Sequence, residues 1–168
     1  MINLEDIPAE MRWSIAAKSA TAIPFAFSMA FQEIAGKEKF DEIVQQMWVE
    51  GGKEAKGLAD MLGLPTGNAI EVDDSWGLIS SILYGPEIKW DVIEENEDLR
   101  KTRITGCPFL NREKEMGIDP KDGFGACQAY SRSIVENLNP KYTQRFESGM
   151  CLGAPYCKSI VELKASLR

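Results

Sequence analysis

The chain has 168 residues, of which 44% are hydrophobic and 27% charged, and it carries a formal charge of −7 with a pI near 4.8. That length suits one domain spanning residues 1–168 and needs no disulfide staple, while the acidic balance argues against nucleic acid or an anionic membrane as partner. Histidine is absent, which excludes a Ser-His-Asp triad, a Cys-His dyad and any imidazole-ligated metal.

The opening MINLEDIPAEMRW lacks the basic-then-apolar layout of a signal peptide, and no run reaches about 18 apolar residues. The expectation is a cytoplasmic protein whose thiols stay reduced. Asp6 and Pro8 signal a helix start, and Ala9 to Ala35 is rich in Ala, Met and Phe, with Pro24 expected to kink or divide it. A second helix is predicted from Glu38 to Met61, its stripe carried by Phe40, Ile43, Val44, Met47 and Trp48. Gly51-Gly52 inside it points to a kink or a close helix crossing. Leu64-Pro65-Thr66-Gly67 is a turn, and a third helix follows from Ala69 to Leu83.

The hydrophobic period changes after Gly85-Pro86. Ile88, Trp90 and Val92 alternate with Lys89 and Asp91, predicting a half-buried strand that returns as Leu99 to Thr105. A loop from Met116 to Gly125 leads to a helix from Ala126 to Leu138, stopped by Asn139-Pro140. Tyr142 to Cys151 and Cys157 to Leu163 then form a second hairpin around Leu152 to Tyr156. The order predicts an α+β fold: a mainly helical part over 1–85, then hairpin, helix and hairpin over 86–168, with the N-terminal helices packed on an antiparallel sheet.

Chemistry is concentrated in four cysteines, all in the C-terminal half. Cys107 ends a strand, Cys127 opens a helix, and Cys151 and Cys157 flank the last hairpin loop. Residues two apart share a strand face. If the five-residue loop pairs Cys151 with Cys157, the two thiols stand side by side, with Tyr142, Phe146, Met150 and Ile160 as the core stripe on the opposite face. Thiolates from all four cysteines suit tetrahedral zinc or an iron–sulfur cluster. A single reactive thiol, or cysteines that only fill the core, are the competing readings.

The segment FDEIVQQMWVEGGKEAKGLADMLGL, followed in order by GCPF, CQAY, NLNPKY and GMCLGAPYCKSIVEL, resembles the L-2-amino-thiazoline-4-carboxylate hydrolase-like family over most of residues 40–163. CLGAPYC also resembles the end of the 4-vinyl reductase domain family, small-molecule-binding domains of which some hold zinc through cysteines and one glutamate. That resemblance implies Cys127, Cys151 and Cys157 as ligands, with Cys107 or Glu147 as the fourth. Glu147 precedes Cys151 by four residues, about 13 Å along a regular strand, so Cys107 is the better fit.

Other candidates are less specific. Arg103 and Arg145 share strand parity with Cys107 and Cys151 and are candidates to hold a ligand carboxylate, and Tyr130 and Tyr156 to stack on the ligand or donate a proton. Trp13, Trp48, Trp76 and Trp90 read as core or as pocket wall, and Asp73-Asp74 as acids at a helix start. The expected function is a small-molecule-binding domain with a cysteine-ligated metal centre. The alternative is a hydrolase of a small cyclic C–N or C–S substrate. Homo-oligomerisation is left open.

Overall fold

The computed structural model describes residues 3–165. Among them the helices are α1 (Ala9–Ala35), α2 (Lys37–Leu62), α3 (Ala69–Tyr84), α4 (Pro108–Met116) and α5 (Phe124–Leu138). The strands are β1 (Lys89–Asn96), β2 (Leu99–Gly106), β3 (Tyr142–Ser148) and β4 (Cys157–Leu163). They form one antiparallel sheet of order β1-β2-β4-β3. The expected α+β class holds, with the two hairpins joined edge to edge through β2 and β4.

Three expectations need correction. Of the two outcomes expected at Pro24, a kink or a division, division does not occur, because α1 runs unbroken through it. Loss of one backbone donor is a local cost that a 27-residue helix absorbs. Helix α4 has no counterpart in the sequence reading, although Cys107 caps it, accepting from Leu110 N–H at 3.4 Å, and Pro108 occupies its first turn. Strand β3 stops at Ser148, well short of Cys151.

Gly52 resolves the choice between kink and close crossing. Helix α2 continues through the pair, and a Cβ at Gly52 would lie 2.6 Å from the Ser133 Cβ of α5. Ser133 Oγ seals the crossing by donating to the Val49 carbonyl at 2.7 Å. Helix α5 is thus held between α2 and the sheet. The core gathers Ala55 and Ala59 of α2, Val72, Trp76 and Ile79 of α3, Ile134, Val135 and Leu138 of α5, and Tyr142 and Val161 of the sheet.

Register decides which sheet face meets the helices. Tyr142 pairs with Leu163, Gln144 with Val161 and Phe146 with Ser159, so these residues share the helix-facing side. Ile160 pairs with Arg145 and lies on the outer face, although fully buried. The expected stripe of Tyr142, Phe146 and Ile160 is therefore split between faces. Cys157, on the parity of Ser159 and Val161, points toward the helices. The basic stretch after Asp98 is neutralised residue by residue. Buried Arg100 meets Asp73, Asp74 and Glu95, Lys101 meets Glu94, and Arg103 meets Asp91.

Candidate functional site

One face of each of four helices opens onto a cavity of about 360 Å³. Helix α1 contributes Phe25, Ser28 and Met29; α2 contributes Phe40, Val44 and Trp48; α4 contributes Phe109, Leu110 and Glu113; α5 contributes Ala126, Cys127 and Tyr130. These sets recur at three- and four-residue intervals, as a helix presents one side. The rings interlock: Trp48 meets Phe109 at 5.4 Å and Tyr130 at 5.1 Å between centroids, and Tyr84 backs Phe109 at 4.7 Å. Tyr84 and Tyr130 share a hydroxyl–hydroxyl hydrogen bond behind that wall.

All four cysteines line this cavity. Cys107 arrives at the cap of α4, Cys127 in the first turn of α5, Cys157 at the start of β4, and Cys151 in the 3-10 turn Met150–Leu152. Cys157 pairs with Ile104 of β2, and the β3–β4 ladder ends at Ser148 and Lys158 after an irregularity, so Cys151 does not oppose Cys157 in the ladder. The turn brings them together by another route, and Cys157 Sγ accepts from Met150 N–H at 3.2 Å. No disulfide joins any of them.

The thiols hold their protons tightly. Burial pushes Cys107 up to about 11, helped by the neighbouring Cys157, and pushes Cys151 up to about 11, helped by Cys157 and Glu113. Cys127 is also raised well above the ordinary thiol range, first through burial and then through the other three sulfurs. Its surface is accessible because the cavity reaches it, yet protein surrounds it on the remaining sides. Burial also raises Cys157, against the pull of the Met150 N–H.

Glu113 is the site residue that sequence reading missed. Its side chain is 5% exposed, lines the cavity, and no hydrogen bond or ion pair reaches its carboxyl group among the described residues. Burial, then Asp119 and Asp122, push it up to about 7. The available signal was the Phe109-x-x-x-Glu113 spacing, legible only once α4 is known to be a helix. Glu147, the alternative ligand, is on the outer face beside Lys158 at 2.7 Å and Arg145 at 3.3 Å.

Three of the residues suggested for ligand binding are also placed away from the cavity. Arg103 grips Asp91 through two nitrogens and stands over the Tyr156 ring at 5.8 Å, while Arg145 pairs with Glu162 at 3.0 Å. None of Arg103, Arg145 and Tyr156 lines the cavity. Of the tryptophans, Trp48 forms its wall, Trp76 is core, Trp90 packs on Gly77, and Trp13 donates to the Ile82 carbonyl at 3.0 Å.

No family model matches the chain, and no curated protein does. Solved structures share its fold. The phenol-responsive sensory domain of the transcription activator PoxR, solved with phenol, superposes with a TM-score of 0.60 at 13% identity, over 85% of this chain and 74% of that one. A trafficking protein particle complex subunit 3 from Naegleria fowleri, covalently bound to palmitic acid, also gives 0.60 at 13% identity, over 89% and 96%. Among the described residues no helix is long and apolar enough to cross a membrane.

Proposed function

We propose that this chain binds a small, mainly apolar molecule in the cavity between α1, α2, α4 and α5. The observation that carries the reading is the cavity itself: it is about 360 Å³ in volume, walled by Phe25, Phe40, Trp48, Phe109 and Tyr130, with polar side chains such as Ser28, Gln45 and Glu113 in the minority. Ligand sites have this make-up, an apolar wall with a small number of placed polar groups. The two fold neighbours, described with phenol and with palmitic acid, support it by analogy of architecture.

Phenol and 1-octanol are suitable first probes. Each should raise the melting temperature of the wild type, since a ligand bound only by the folded state at a hundred times its Kd adds about 2.7 kcal/mol. Ala126→Trp, which fills the cavity from α5, should abolish the shift. A wild type indifferent to both probes, or a filled variant that responds equally, would sink the reading.

The finer reading assigns the four thiols a zinc ion or an iron–sulfur cluster. Its support is chemical: Cys107, Cys127, Cys151 and Cys157 line one cavity in which no Lys or Arg competes among the described residues, and their thiol protons are what a soft cation displaces. The spacing is not closed. Among the described residues no three Cys, Asp or Glu side chains stand together in a group that could hold a metal ion, so ligation requires the thiols to turn inward. Anaerobically purified protein should contain zinc or iron at close to one site per chain, and each single Cys→Ser variant should lose it. Metal-free wild type would remove this assignment while leaving the cavity reading intact. The hydrolase alternative gains no support from the thiols, because burial keeps them protonated, the wrong form for attack.

A further inference from the structure

Among the described residues the cavity is lined by carboxyl groups and by neither Lys nor Arg. The carboxyl groups are those of Glu113, Asp41 and Asp122. Glu113 differs from the two exposed aspartates in being 5% exposed. Its position follows from α4: four residues after Phe109, it lies on the same helical face, above the aromatic wall. Gly123 leaves room for the carboxyl group there, since a Cβ on that glycine would come within 2.3 Å of Glu113 Oε1. Nearby Arg112 turns its Nη2 to Glu87 at 2.9 Å and Glu115 at 3.1 Å, and among the described residues no ion pair joins it to Glu113.

A buried carboxyl without a partner is costly, and such groups in folded proteins are paired or hydrogen-bonded. The Glu113 carboxyl opens onto the cavity, so water or a ligand there supplies the missing partner. We propose that the ligand carries a protonated nitrogen, an amine or an amidine, on an apolar or aromatic body, with Glu113 accepting its N–H donors while the rings of Trp48, Phe109 and Tyr130 enclose the body. A cation close to those ring faces gains a further attraction. An amidine adds geometric match, because its two parallel N–H groups fit both carboxylate oxygens. The same arrangement rejects anions: a carboxylate ligand would meet Glu113 with no Lys or Arg among the described lining residues to offset it. The inference rests on the cavity being a ligand site and goes beyond it by naming the head group.

Benzamidine, benzyl alcohol and benzoate share a ring and differ in charge, so they separate the two layers of the argument. In titrations at about 0.15 M salt, which screens the general attraction of an acidic surface for cations, benzamidine should bind at least about tenfold more tightly than benzyl alcohol, a typical return for a charge-assisted hydrogen bond. Benzoate should bind more weakly than either. Glu113→Gln keeps the shape and removes the charge, and it should bring benzamidine to within about twofold of benzyl alcohol without weakening the alcohol. Should the variant fail to fold, Asp122→Asn and Asp41→Asn decide, since the benzamidine preference must survive in both. Benzyl alcohol binding with no gain for benzamidine, or a preference lost in Asp122→Asn and kept in Glu113→Gln, overturns the assignment to Glu113 and spares the ligand site. If none of the three probes binds, both fall together.

Discussion

Asp73 sits on α3 with its side chain 3% exposed, accepting a hydrogen bond from Thr102 at 2.5 Å. Arg100 is close, yet its Nε stands 3.6 Å from the carboxylate and has no hydrogen-bond partner, while the guanidinium also serves Asp74 and Glu95. Desolvation therefore wins over both attractions and raises Asp73 from the ordinary 3.8 to about 6. A folded state that holds the proton more tightly than the unfolded chain gains stability below the lower value and loses it as pH rises through the higher. Two pK units bound that loss at about 3 kcal/mol. Asp73→Asn should accordingly gain about 1–3 kcal/mol relative to the wild type between pH 4 and 7.5 in paired urea denaturations. Parallel curves at the two pH values would show that Arg100 compensates the charge after all. Glu113 teaches the complementary lesson about carboxylates. It stands in a run of charged residues, Arg112 to Glu115, that reads as solvated surface, and only its burial singles it out.

At the scale of elements, two glycines of one helix should behave oppositely. Gly52 sits where α2 crosses α5, and a methyl group there would meet Ser133 Cβ at 2.6 Å and the Ile134 backbone nitrogen at 3.0 Å. Gly57, one and a half turns on, has nothing within 4 Å of its would-be Cβ. Gly57→Ala should stabilise by about 0.5–1 kcal/mol, the helical advantage of alanine. Gly52→Ala should destabilise by about 1–3 kcal/mol, because overpacking a tight crossing outweighs that gain. Denaturant midpoints of the two variants check the pair, and equal signs would contradict the crossing. Elements also show where local signals are weak. Helix α4 has nine residues, five of them Asn, Arg, Lys or Glu; its periodicity spans too few turns to stand out, although Pro108 and Gly117 mark its ends. In β3, strand parity was extrapolated past Phe146, where the ladder becomes irregular and then gives way to a 3-10 turn. One displaced residue exchanges faces, which is why Cys151 reaches the cavity from a turn and not from a strand.

Across the whole molecule, the sequence by itself determined the class, the order of the elements and most of their bounds, because periods of 3.6 and 2 and the Gly and Pro stops are local properties. It also marked the four cysteines as lying at element ends, which holds for Cys107, Cys127 and Cys157, while Cys151 sits within a 3-10 turn beyond β3. Their convergence on one cavity was inferred from chemistry, and it depends on contacts between residues far apart in the chain. The β2–β4 pairing joins the two hairpins, the Gly52 crossing sets α5 beneath α2, and the two together bring Cys107, Cys127, Cys151 and Cys157 to a shared wall. Arg103 and Arg145, chosen by parity, went to the outer face, because the pairing of Ile104 with Cys157 and of Gln144 with Val161 fixes which side meets the helices. Periodicity tells which residues share a face but not which face is covered. That choice, and with it the unpartnered carboxyl of Glu113, belongs to the tertiary structure, since burial is a property of the assembled layers and not of any one segment.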